Sequence, residues 1–252
     1  MLRSKGRKHA IARHAYAFGE GITSLFAKDD AHMPRYILFD IDGTLVDSVD
    51  LHAEAWQVIF RKYGKEIPFQ KVRDQIGKGG DQLLPVFWSQ EELKSFGKEM
   101  EDERSKLFLD EYMPRVKPFP QVPELFQRLL ADGKKIALAT SAKEKELKQL
   151  KKIAGIEGLF HEATSSDDAE KSKPHPDIFA AALEEVGDPQ ARDAISIGDT
   201  PYDAEAAGKI GLKTVGVLCG GWSEADLRSA GCVAIYRDPA DLLAKYEESP
   251  LK

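Results

Sequence analysis

Hydrophobic and polar positions along the chain follow two periods. Short runs of consecutive apolar residues occur at 35–39, 135–140, 194–197, 213–218 and 232–236, with a weaker one at 159–164. Such runs read as strands covered on both faces. Between them, apolar residues recur at helical spacing over 122–130, up to Leu150, from Pro176 to about 186, from near Pro201, and over 223–228 and 239–246. Strand followed by helix, repeated, predicts an α/β fold with a parallel sheet. One stretch breaks the alternation. From 48 to 117 the pattern is helical without a buried strand: Leu51, Ala55, Val58 and Ile59 mark one helix face, and 89–112, crowded with Glu and Lys, reads as a long solvated helix closed by Met113-Pro114. The prediction is a core of 34–47 and 118–252 with a helical insertion at 48–117.

Composition narrows the classes. A net charge of -6 argues against a nucleic-acid binder, and no apolar run reaches the length that spans a bilayer. Two cysteines, Cys219 and Cys232, are too few for a disulfide framework, which points to a reducing cytoplasm. Residues 1–33 form a basic extension (Arg3, Lys5, Arg7, Lys8, Arg13) without a secretory apolar region, and Met33 before Pro34 resembles a natural start.

The chemistry lies where the strands stop. Asp40 and Asp42 follow Ile37-Leu38-Phe39, and two like charges beside a buried strand repel unless a cation or a reaction needs them. Gly43 permits a sharp turn and Thr44 adds a hydroxyl. The second strand ends at Thr140 and Ser141. Ser141 with Glu144 fits a capping box, and it equally suits an anion contact. Lys173 is stiffened by Pro174 and Pro176, whereas His175 reads as a surface residue. Asp199 and Asp203 follow the next strand; helix-dipole compensation explains Asp203 but not Asp199. In the insertion, Gly77-Lys78-Gly79-Gly80 is either an anion cradle or a glycine turn before a helix. In an open parallel sheet, ligands bind outside the carboxyl ends of the strands, so these junctions are expected to converge. Several carboxylates in one crevice suit Mg²⁺, and a lysine with a hydroxyl suits a phosphoryl group.

The segments FDIDGTL, ALATSA, KSKPHPDIF and SIGDTPYD, in that order, resemble the four motifs of the haloacid dehalogenase-like superfamily. The resemblance implies a Rossmann-like three-layer core with an α-helical cap inserted after the first strand. It implies Asp40 as nucleophile, Asp42 as general acid/base, and phosphate binding by Gly43, Thr140, Ser141 and Lys173. It further implies Mg²⁺ held by Asp40, Asp199 and the backbone carbonyl of Asp42, with Asp203 assisting the metal or its waters. The expected activity is that of a phosphatase acting on a small phosphorylated metabolite, of the phosphoglycolate or sugar-phosphate type, by a monomer or homodimer without nucleic-acid or membrane partners. Gly77, Lys78 and Gly79 of the cap are expected to face the core and contact the substrate. Asp42 argues against a true dehalogenase, which expels halide and needs no acid. A phosphonate hydrolase would need a cap lysine, and nothing singles out one of Lys62, Lys65, Lys71 and Lys78. A sugar-phosphate mutase would keep every motif. A catalytically inactive binding protein would have lost a charged motif residue, and here none is missing.

Overall fold

In the computed structural model, which describes residues 33–252, the apolar runs become one six-stranded sheet. The basic segment before Met33 lies outside the described residues. The first strand, β1 (Tyr36–Phe39), is followed by the two-residue β2 (Val46–Asp47) and by α1 (Val49–Lys62), α2 (Phe69–Arg73), α3 (Gly80–Leu83) and α4 (Gln90–Leu107). The chain returns through β3 (Lys117–Pro118), which pairs antiparallel with β2. Then come α5 (Val122–Ala131), β4 (Lys135–Ala139), α6 (Glu144–Ile153), β5 (Glu162–Thr164), α7 (Asp177–Glu185), β6 (Ala194–Gly198), α8 (Pro201–Gly208), β7 (Lys213–Val217), α9 (Glu224–Ser229), β8 (Cys232–Tyr236) and α10 (Pro239–Ala244).

The sheet order is β5-β4-β1-β6-β7-β8, parallel throughout. The winding therefore runs outward from β1 to β4 and β5, then resumes on its other side with β6, β7 and β8. This reversal places a crevice at the carboxyl ends of β1, β4 and β6. Alternate residues of these strands serve opposite faces. Ile37, Phe39, Ile136, Leu138, Ile195 and Ile197 pack with α5, α6 and α10. Leu38, Ala137 and Ala139 pack with α7 and α8. The result is a three-layer α/β core.

Helices α1 to α4 carry an apolar cluster of their own, including Trp56, Phe60, Leu83, Trp88 and Met100. The helix expected at 89–112 starts as read, with Ser89 and Glu92 forming a capping box. It ends differently. Past Leu107 the backbone widens into a π-type turn, Phe108–Tyr112, and Phe108, Tyr112 and Met113 join the cluster on the sheet. The far end of this helix is thus anchored rather than solvated, because its last apolar residues reach the core. The weak strand at 159–164 is shorter than expected: Leu159 lies in a turn, its N–H donating to the Ile156 carbonyl.

Phe126 of α5 is fully buried with its ring 4.7 Å from that of Phe39, directly behind the strand that ends at Asp40. Phe126→Ala is expected to cost about 3–5 kcal/mol of unfolding free energy, measured by urea denaturation; a loss below about 1 kcal/mol would contradict this packing.

Candidate active site

Asp40, Thr140 and Asp199 each stand one residue beyond their strand, at the ends of β1, β4 and β6. Strand register does the positioning: Phe39 pairs with Leu138 on one side and Ile197 on the other. Lys173 arrives from the loop after β5 and is 1% exposed. Its ammonium donates to Asp40 Oδ1 at 2.5 Å and to the Ala139 carbonyl at 2.9 Å, and lies 2.7 Å from Asp203 Oδ1. Asp203 also closes the start of α8, since its Oδ2 accepts from Thr200 N and Thr200 Oγ1. Thr44 bridges the first and last motifs by facing both Asp40 Oδ2 at 3.3 Å and Asp199 Oδ1 at 3.2 Å. Its single hydroxyl proton serves one of them at a time.

Asp40, Asp199 and Asp203 each offer an oxygen within 4.8 Å of the others, and all three are buried. One lysine among three carboxylates leaves negative charge uncompensated. Burial pushes the Asp40 carboxyl up to about 7 against the pull of Lys173, and Asp203 pushes it the same way. Burial, then Asp40 and Asp203, hold Asp199 well above its ordinary value. Burial alone would lower the pKa of Lys173, but Asp203 and Asp40 outweigh it and hold the ammonium protonated. Oδ2 of Asp199 is buried without a protein hydrogen-bond partner. Gly43, at φ +80°, is what lets the chain pass it: a Cβ there would lie 2.4 Å from that oxygen. An unpartnered carboxylate oxygen in an all-oxygen, charge-deficient cluster fits a hard divalent cation.

Asp42 lies outside that cluster. Its Oδ1 accepts from Ser48 Oγ at 2.6 Å and sits 3.0 Å from His52 Nε2, both at the start of α1. Burial would raise its pKa, but His52, then Ser48 and Arg104, bring it below the ordinary carboxylate value. The His52 ring stacks on Phe108 at 3.8 Å, and its Nδ1 is 3.4 Å from Arg104 Nη1. Arg104 in turn donates to both oxygens of Glu146 on α6, at 3.2 and 3.1 Å. A chain of polar side chains thus runs from Asp42 through α1 and α4 back to the core. Ser48, His52, Arg104 and Glu146 were missed in the sequence. The available signal was a polar residue on an apolar helical stripe: His52 is four before Trp56, Arg104 four after Met100 and four before Phe108, and Glu146 four before Leu150.

Asp40, Asp42, Thr140, Ser141, Gly77 and Lys78 line one pocket of about 40 Å³. Thr140 Oγ1 accepts from Ala142 N at 3.0 Å, which bends the chain before α6 begins. Ser141 therefore does not cap that helix, contrary to the capping reading. Lys143 occupies the cap position, the Glu144 N–H donates to Asp167 Oδ2, and Ser141 Oγ donates to the Gly77 carbonyl. The glycines of the cap loop serve close approach: a Cβ on Gly77 would lie 2.8 Å from Thr200 Cγ2, and one on Gly79 would lie 2.0 Å from Ser172 Oγ. Lys78 is the side chain this loop presents, its Nζ 2.6 Å from Gln75 Oε1 and 4.5 Å from the Tyr202 ring centre.

Comparison with known proteins agrees with this geometry. The sequence profile of the haloacid dehalogenase-like hydrolases matches residues 37–217. A phosphoglycolate phosphatase of Aquifex aeolicus is 31% identical over 187 residues, covering 74% of this chain and 85% of that protein. A phosphorylated carbohydrates phosphatase of Thermotoga maritima is 26% identical, covering 84% of this chain and 98% of its own. Among solved structures, a hydrolase from Pseudomonas syringae superposes with a TM-score of 0.78 at 26% identity, covering 84% of this chain and 98% of that one. The chain belongs to the haloacid dehalogenase-like hydrolases.

Proposed function

We propose that this enzyme is a Mg²⁺-dependent phosphatase that hydrolyses a small phosphate monoester, of the phosphoglycolate or sugar-phosphate type, through a phosphoryl group carried on Asp40. The observation that carries the reading is the pairing of two carboxylates with opposite surroundings in one small pocket. Asp40 is held by Lys173 beside a cation-seeking cluster, and Asp42 by Ser48 and His52 away from it.

In the first half-reaction an Asp40 oxygen attacks phosphorus, the ester P–O bond breaks, and the leaving alkoxide takes a proton from Asp42. In the second, water gives its proton to Asp42 and attacks phosphorus, which releases phosphate and restores Asp40. Lys173 neutralises charge beside the nucleophile, while the hydroxyls of Thr140 and Ser141 and the backbone N–H groups around the Gly43 turn offer contacts to phosphate oxygens. Ser48 and His52 fix the direction in which the Asp42 carboxyl faces. Mg²⁺, when bound, would be held by Asp40, Asp199, Asp203 and the backbone carbonyl of Asp42, and would offset the repulsion between the nucleophile and the phosphate. With only two cysteines in the chain, a reducing cytoplasm is the location this reading assigns to the enzyme.

Asp40→Asn is expected to lower kcat on p-nitrophenyl phosphate by about 10³-fold or more, since the nucleophile is removed outright; retention of full turnover would sink the assignment. Asp42→Asn should separate the half-reactions. A good leaving group needs little protonation, so stopped-flow mixing with p-nitrophenyl phosphate should show a burst of p-nitrophenolate followed by slow turnover, whereas an alkyl phosphate should show slow turnover without a burst. Equal loss on both esters without a burst would contradict a role in both steps.

The charge deficit predicts a linkage. Asp40 rises from an ordinary 3.8 to about 7 in the folded chain, so metal-free protein loses stability as pH increases through that interval. Mg²⁺ favours the ionised carboxylates and should restore more stability the higher the pH. The Mg²⁺-induced rise in Tm is therefore expected to be small near about pH 5 and larger above about pH 7. A rise that does not depend on pH would contradict cation binding at this cluster.

A further inference from the structure

The small pocket opens past Trp56, Arg104 and Ser141 into a second cavity of about 490 Å³ between the cap helices and the core loops; these three residues line both. A group esterified to a phosphorus beside Asp40 has a path past these residues into the larger cavity. The cation at the opening is Arg104, and a guanidinium in such a place is ordinarily a receptor for a carboxylate or a second phosphate.

Here the charge of that guanidinium is already answered, through Nη1 alone. Glu146 is fully buried and takes Arg104 on both oxygens, with Ser105 Oγ donating to it at 2.7 Å as well. Arg104 and Glu146 together carry no net charge. Beyond the opening the cavity wall carries four carboxylates, Asp81, Glu101, Asp167 and Glu170. Its two lysines are engaged: Lys98 lies 2.7 Å from Asp102, and Lys143 lies 3.5 Å from Asp102 and 3.7 Å from Glu101. Lys78 lines the small pocket and not this cavity. An anion entering here would meet a surplus of carboxylates. Hydroxyl groups would find acceptors in those carboxylates.

Resting on the phosphatase reading above, we propose that Glu146 is a specificity-determining residue: by neutralising Arg104 at the mouth of the phosphate pocket, it selects an uncharged, hydroxyl-bearing leaving group over one that carries a carboxylate or a second phosphate. The preferred substrates are then sugar or polyol monophosphates. Phosphoglycolate, whose leaving group bears a carboxylate, is disfavoured.

The test compares kcat/KM of the full chain with Mg²⁺ on glycerol 3-phosphate, hexose 6-phosphates and phosphoglycolate, with p-nitrophenyl phosphate as reference. Wild type is expected to favour its best polyol ester over phosphoglycolate by about tenfold or more. Glu146→Gln keeps a group for Ser105 and frees the guanidinium, so the ratio should move about tenfold towards phosphoglycolate. A ratio taken from one preparation is indifferent to how much of the protein is active. Wild-type preference for phosphoglycolate, or an unchanged ratio in folded Glu146→Gln, would overturn the inference and leave the phosphatase reading intact. No turnover of any ester, p-nitrophenyl phosphate included, would overturn both. If Glu146→Gln does not fold, Glu101→Gln on the cavity wall decides together with the wild-type ratio: a shift towards phosphoglycolate supports the inference, and none overturns it.

Discussion

Three buried carboxylates around one buried ammonium is the constraint on which the rest of the structure depends. Asp40, Asp199 and Asp203 repel one another at short range in surroundings that solvate them poorly, and Lys173 answers only part of that charge. A flexible scaffold would relieve the repulsion by moving apart. Here each group is fixed from behind: Asp40 and Asp199 by paired central strands, Asp203 by its capping box with Thr200, and Lys173 by the Ala139 carbonyl. Thr44 stands between two of the carboxylates and adds a further tie. The sheet thus keeps the site in a state that only added positive charge can satisfy.

The insertion is bound into this arrangement through two kinds of contact. One is steric: the cap loop lies so close to Thr200 and Ser172 that a methyl group on Gly77 or Gly79 would collide with them. The other is electrostatic: the pair of partly buried Arg104 and fully buried Glu146 spans from cap to core and continues through His52 to Asp42. Removing Arg104 is expected to cost about 3–5 kcal/mol, because the Glu146 charge is left buried and unanswered. The position of the cap and the environment of Asp42 therefore depend on the same residues.

Much of the core was legible from the chain because buried parallel strands write continuous apolar runs, and polar residues that interrupt such runs at their ends need a reason. Asp40, Thr140 and Asp199 stood out in that way, and the parallel order brought them together. The residues that escaped did so for equally physical reasons. His52, Arg104 and Glu146 lie on helices, where a single polar residue on an apolar stripe resembles an ordinary surface position until its partner, on another helix, is known. Ser141 fitted a capping box by spacing, but the bend held by Thr140 and Ala142 moved the helix start two residues on. Phe108 and Tyr112 looked like part of a solvated helix because the charged residues before them set the average; a π-type turn then redirects them into the core.

Two residues apart in sequence, Asp40 and Asp42 are driven in opposite directions: burial and neighbouring carboxylates favour the protonated form of the first, while His52 and Ser48 favour the ionised form of the second. Environments that push a pair of carboxyl groups apart are the usual means of assigning them different tasks. For the proposed phosphatase, both biases run against the first half-reaction, which needs an ionised nucleophile and a protonated acid. A divalent cation beside Asp40 favours its carboxylate, and an anionic phosphoryl group beside Asp42 favours its protonated form. Each bound partner then corrects a different residue, so the chemically competent combination is favoured most with both in place.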